Sequence, residues 1–111
     1  MKIAIVGSRN LIVKDLSLYL PKNCSLIITG GAKGVDTCAI QYAQTKGLPI
    51  TVYLPDYARY GRGAPFVRNR QIVAAADHIL AFWDGTSPGT RWVIEYAHRQ
   101  GKPCQVIRIP S

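Results

Sequence analysis

Ser25-Leu-Ile-Ile-Thr-Gly-Gly-Ala-Lys-Gly-Val-Asp36 runs from an apolar, β-branched stretch through a glycine-rich turn into the start of a helical pattern. Gly30, Gly31 and Gly34 let the backbone turn sharply and approach a ligand closely. The amides that open the following helix have no intrahelical partner and carry its positive dipole end. Lys33 adds a full positive charge. The helix is marked by an apolar stripe of Val35, Ala39, Tyr42 and Ala43 and by a stop at Gly47. The segment reads as a phosphate cradle. Glycine-rich turns also serve as plain connections between strand and helix, so taken alone it leaves both readings open.

The same alternation extends in both directions. Apolar runs at Ile3–Val6, Leu26–Thr29, Ile50–Leu54, Ile79–Phe82 and Val106–Ile109 predict about five short strands. Helical patterns fall between them at Val13–Leu20, Val35–Lys46, Pro65–Ala76 and Pro88–Gln100, bounded by Pro21, Gly47 and Gly101. Strands alternating with helices predict a doubly wound, parallel α/β sheet with helices on both faces. In such sheets ligands bind beyond the carboxyl ends of the strands, where strand order reverses. Gly7-Ser-Arg-Asn10, the Thr29–Asp36 turn, Pro55-Asp56 and the Trp83–Thr90 loop all fall on that rim. Their glycines, hydroxyls and cations converge on one edge.

A length of 111 residues predicts one domain, residues 1–111, with function in a single site. Fourteen Lys/Arg against six acids give a net charge of +8, which favours an anionic partner. The cations are scattered rather than blocked, which argues against a disordered nucleic-acid tail. Cys24, Cys38 and Cys104 have no metal spacing and are odd in number, so reduced thiols in a cytoplasmic protein are expected, with no disulfide and no metal. No leader pattern and no membrane-length apolar run is present, so a soluble, unexported protein with no membrane partner is expected.

Val6-Gly-Ser-Arg9, Ile28-Thr-Gly-Gly-Ala-Lys-Gly-Val-Asp36, Val67-Arg-Asn-Arg70 with Ile72, Gly89-Thr90 and Gly101-Lys-Pro103, in this order, resemble the SLOG superfamily. This is the Rossmann-like group that contains the DNA-processing protein A core and the Lonely Guy phosphoribohydrolases. The resemblance covers nearly the whole chain and is nearest to the small stand-alone relatives of DNA-processing protein A. It implies the strand order 3-2-1-4-5 and a nucleotide-type phosphate site. By the same resemblance Gly7, Ser8 and Arg9 form the first ligand loop. Gly30, Gly31, Lys33 and Gly34 match the phosphate loop, and Asp36 the family aspartate. For Asp36, a first-turn acid stabilising its own helix dipole is an equal alternative. Arg68 matches the arginine that is catalytic in the Lonely Guy enzymes, with Asn69 beside the site. Arg70 lies roughly 200° around the helix from Arg68 and cannot face the same ligand. Gly89 and Thr90 offer amides and a hydroxyl to a second phosphate.

The Lonely Guy signature Pro-Gly-Gly-x-Gly-Thr-x-x-Glu is broken here, because Val93 stands three positions after Thr90 where the acid belongs. Glu95 is rotated away on the same helix, with an ion pair to Arg91 or Arg99 as its expected role. The leading expectation is therefore a binding module without cofactor. It would hold a nucleotide or nucleotide-derived ligand, with single-stranded DNA through the same loops as a variant. The alternative is a Lonely Guy-type nucleotide 5'-monophosphate phosphoribohydrolase, with Arg68 its catalytic match. The Asp56–Gly63 segment mixes two tyrosines with two arginines and reads either as a lid over the rim or as an exposed loop. A homodimer completes the expectations.

Overall fold

The computed structural model describes residues 1–110. Five strands, β1 (Lys2–Gly7), β2 (Leu26–Thr29), β3 (Ile50–Val52), β4 (His78–Trp83) and β5 (Cys104–Arg108), form one all-parallel sheet in the order β3-β2-β1-β4-β5. Four helices accompany them: α1 (Val35–Lys46), α2 (Tyr57–Tyr60), α3 (Ala64–Ala75) and α4 (Pro88–Arg99). This is the expected Rossmann-like α/β architecture.

The continuous apolar run Ile3-Ala-Ile-Val6 places β1 in the middle, because a central parallel strand is covered on both faces. Its side chains alternate. Ile3 and Ile5 join one core with Ile27, Val35, Ala39, Leu80 and Phe82, under α1. Ala4 and Val6 join the other with Ile28, Ile72, Ile79, Ala81 and Val93, under α3 and α4. The strand register sets Gly7 beside Phe82, which brings the loops leaving β1 and β4 side by side at the carboxyl edge.

One expected element differs. The Val13–Leu20 pattern forms only a 3₁₀ turn at Leu16–Leu18. Asp15 stands in extended backbone and accepts from the Ser17 amide at 3.0 Å and from its hydroxyl, which favours a local turn over a continuing helix. Leu11, Val13 and Leu16 instead plug the α1-side core. β3 is two residues shorter than expected, although the Tyr53 amide still donates to Thr29 O at 2.9 Å. β5 begins two residues earlier, at Cys104. The helices α3 and α4 match their expected spans to within one residue at each end. No helix among the described residues is long and apolar enough to cross a membrane.

Candidate functional site

A cavity of about 560 Å³ opens at the carboxyl edge between the β1 and β4 loops, walled by the start of α4 and one side of α3. Gly7 makes the junction. A Cβ there would lie 2.6 Å from Val35 Cγ2 and 2.7 Å from Phe82 O, so no other residue lets β1 pass between β4 and α1. Ser8 follows, 2 % exposed. Its amide donates to Phe82 O at 3.0 Å, and its hydroxyl accepts from the Asp84 amide at 3.3 Å and lies 3.5 Å from the Thr90 hydroxyl. Ser8 thus ties both loops to the first turn of α4. Arg9 and Asn10 line the cavity from exposed positions.

The β4 loop is shaped by Asp84. Its carboxylate accepts the Ser87 amide at 2.7 Å, the Thr86 amide at 2.9 Å and the Ser87 hydroxyl at 2.8 Å. The bond from the Ser87 amide and then that from Thr86 hold its pKa far below the usual carboxylate range. Ser87 spends its hydroxyl on Asp84 and leaves α4 without a side-chain cap. Pro88 has no N–H, and the Arg91 amide is the one that reaches back to Ser87 O. The Gly89 and Thr90 amides are therefore first-turn donors without a helical acceptor, on two residues that line the cavity.

On the opposite side Arg68 donates from Nη1 to Gly30 O at 2.6 Å and to Tyr53 O at 3.5 Å, and from Nε to Asn69 Oδ1 at 2.8 Å. Burial pulls the Arg68 pKa down while the Asp36 charge opposes the shift. The guanidinium stays charged all the same. A Cβ on Gly30 would sit 2.6 Å from Arg68 Nη1 and 3.1 Å from Asp36 Oδ2, so Gly30 leaves room for these two side chains. Asp36 is 5 % exposed and its Oδ2 accepts from the Ala32 amide at 3.1 Å, while Oδ1 is buried without a partner. Asp36 serves as a first-turn acid of α1 and also borders the cavity. Burial raises its pKa, opposed by the Ala32 amide and by Arg68.

That shift has a testable sign. The folded state takes up the Asp36 proton at a higher pH than the unfolded chain, so this group's contribution to stability falls as pH rises from its unfolded value to its raised folded value. Asp36→Asn keeps an acceptor for Ala32 and removes the titration. Urea denaturation from about pH 4 to pH 7 should show the stability of the variant rising relative to the parent protein as pH increases. Parallel curves would mean that Asp36 is not perturbed.

Gly7, Ser8, Arg9, Asp36, Arg68, Asn69, Gly89 and Thr90 come together around this cavity. Gly30, Gly31, Lys33 and Gly34 do not line it. Lys33 is exposed. Gly31, at φ 73°, packs under Val52 and Leu54, and Gly34, at φ 76°, abuts the Ser8 and Arg9 carbonyls, so the glycine turn builds the site from behind. Arg70 points away and lies over the Trp92 ring at 5.9 Å. Arg91 and Arg99 lie over Trp83 and Tyr96, where an ion pair with Glu95 was expected. Asp56–Gly63 is the short helix α2 and a 3₁₀ turn, with Asp56 accepting the Arg59 amide at 3.1 Å, and its tyrosines stand outside the cavity. The three cysteines are free thiols. No three His, Cys, Asp or Glu side chains among the described residues group as a metal site.

Sequence reasoning missed Phe66 and the positioning role of Asp84. Pro65, Asn69 and Ile72 lie within four residues of Arg68 and line the same wall, so the choice of Arg68 carried a signal for it.

Residues 1–60 match the family model described as the YspA, cpYpsA-related SLOG family, YAcAr. The chain is 34 % identical over 84 residues to the Gene 61 protein of Mycobacterium phage D29, a match covering 70 % of this chain and 67 % of that protein. No solved structure matches it.

Proposed function

The chain belongs to the YspA, cpYpsA-related SLOG family, and from that membership we propose that its cavity holds the phosphate of a nucleotide or nucleotide-derived ligand. One observation carries the proposal: Gly89 and Thr90, whose first-turn amides have no helical acceptor, share a cavity with Arg9 and Arg68. Two cations and a helix amino end around a space of this size suit an anionic small molecule. Ser8 acts mainly by fixing the loops, and Lys33 contributes charge from outside. Single-stranded DNA crossing the same loops is the variant that the net charge of +8 favours.

Binding without catalysis is the preferred form. Val93 lines the cavity in place of the acid that the phosphoribohydrolase needs, and Glu95 is exposed and outside it. Asp84 is engaged with Thr86 and Ser87.

Calorimetric titration with nucleoside monophosphates tests the proposal. Arg9→Ala should weaken binding by about ten- to a hundredfold, as expected for the loss of a charge-assisted contact worth about 1.5–3 kcal/mol. Lys33→Ala, which removes a screened charge outside the cavity, should change it by less than about threefold. Affinity untouched by Arg9→Ala would remove Arg9 from the site.

A further inference from the structure

The cavity lining is mixed. Ser8, Arg9, Asp36, Arg68, Asn69 and Thr90 supply polar groups, whereas Val6, Pro65, Phe66, Ile72 and Val93 are apolar. Phe66 is the aromatic residue of that lining and is 44 % exposed, so part of its ring remains accessible. It is also braced. The Trp92 ring meets it edge-on, with centroids 5.3 Å apart and planes at 60°, and Trp92 itself stacks on Tyr96 at 5.1 Å and 7°. Arg70 lies over the Trp92 ring and Arg99 over the Tyr96 ring, at 5.9 Å each. Phe66 with Arg70, and Trp92 with Tyr96, are spaced four residues apart on α3 and α4, so two rigid helices hold the assembly.

We propose that Phe66 is the stacking platform for the base of the bound nucleotide. The inference rests on reading the cavity as a nucleotide-phosphate site and adds how the rest of that ligand is recognised. Phe66 itself offers a ring face and no hydrogen-bond donor or acceptor, so its contact is with the face of the base rather than its edge. Affinity should then follow ring area, with a two-ring base held more tightly than a one-ring base, and a one-ring base more tightly than none. A phenyl ring fixed by its neighbours loses little freedom on binding, which favours the contact.

Titration of ribose 5-phosphate, uridine monophosphate and guanosine monophosphate against the parent protein, Phe66→Leu and Phe66→Trp tests this. Leucine keeps apolar packing against Trp92 while removing the π face. In the parent protein affinity should rise in the order given. Phe66→Leu should weaken the guanine nucleotide by about tenfold and leave ribose 5-phosphate within about twofold, and Phe66→Trp should restore the guanine nucleotide. Equal affinities for all three probes, or Phe66→Leu with an unchanged preference for the guanine nucleotide, would overturn the platform while leaving the phosphate site standing. Failure of ribose 5-phosphate and both nucleotides to bind the parent protein would overturn the phosphate site and the platform together.

Discussion

Gly34→Ala should lower the stability of the fold by about 3 kcal/mol, combining a backbone region closed to L-residues with overpacking. Gly34 sits at φ 76° and ψ −120° as the residue before α1, and a Cβ there would lie 2.8 Å from Ser8 O and collide with the Arg9 carbonyl. Neither neighbour is a side-chain tip that can swing aside. The loop after β1 must move away from α1 or the helix must start later, and either change opens the cavity. Thermal denaturation followed by circular dichroism should show a fall of about 15 °C, since 1 kcal/mol shifts a domain of this size by roughly 4–8 °C. Gly63→Ala is the control. Gly63 has φ −78°, and a Cβ there would meet nothing within 4 Å, so that variant should stay within about 0.5 kcal/mol of the parent protein. Similar losses in both variants would refute the role given to the Ser8 and Arg9 carbonyls.

Arg68→Met should cost both binding and stability. The substitution keeps an unbranched side chain but removes the donor to Gly30 O, the bond to Asn69 and the positive charge beside buried Asp36. Losing the donor to a buried carbonyl costs about 1–3 kcal/mol, and a cation contacting a phosphate is worth a similar amount in affinity. Nucleoside monophosphate affinity should fall by about a hundredfold, with denaturation shifted to lower urea. Arg68→Lys should rescue little, because an ammonium cannot serve Gly30 O, Asn69 and a ligand with one planar fork. A variant that loses stability and keeps its affinity would make Arg68 a strut between β2 and α3 rather than a ligand contact.

The strands were legible because their signal is local. Ile3–Val6 and Leu26–Thr29 are β-branched runs bounded by glycine or polar turns, and both lie within observed strands. The lost helix at Val13–Leu20 shows the limit: its apolar spacing is used to cover a sheet face, a tertiary demand that Asp15 supports with a local turn. Strand topology likewise explains why the β1 and β4 loops could be assigned to one edge in advance, whereas Arg68 was assigned by its resemblance to the family motif. Which residues of the glycine turn face the cavity could not be read in the same way. Gly31 and Gly34 look like ligand glycines in one dimension, yet their positive φ values serve packing against Leu54 and the β1 loop. Phe66 was hidden for a related reason, since its neighbours Trp92 and Tyr96 lie on another helix.

The position of β1 in the sheet also governs how a growing chain acquires this structure. The strand that leaves the ribosome before all the others ends up in the middle, and one of its edges waits for β4, with Ile3 beside His78 and Gly7 beside Phe82. Synthesis from Thr29 to Trp83 takes on the order of several seconds at about 5–20 residues per second. Throughout that interval the nascent chain displays Ile3-Ala-Ile-Val6 with one row of backbone donors and acceptors unpaired, the form of surface that recruits other strands. Closure across so long a separation is also slow. Formation of the five-stranded sheet thus waits until β4 and β5 have been synthesised.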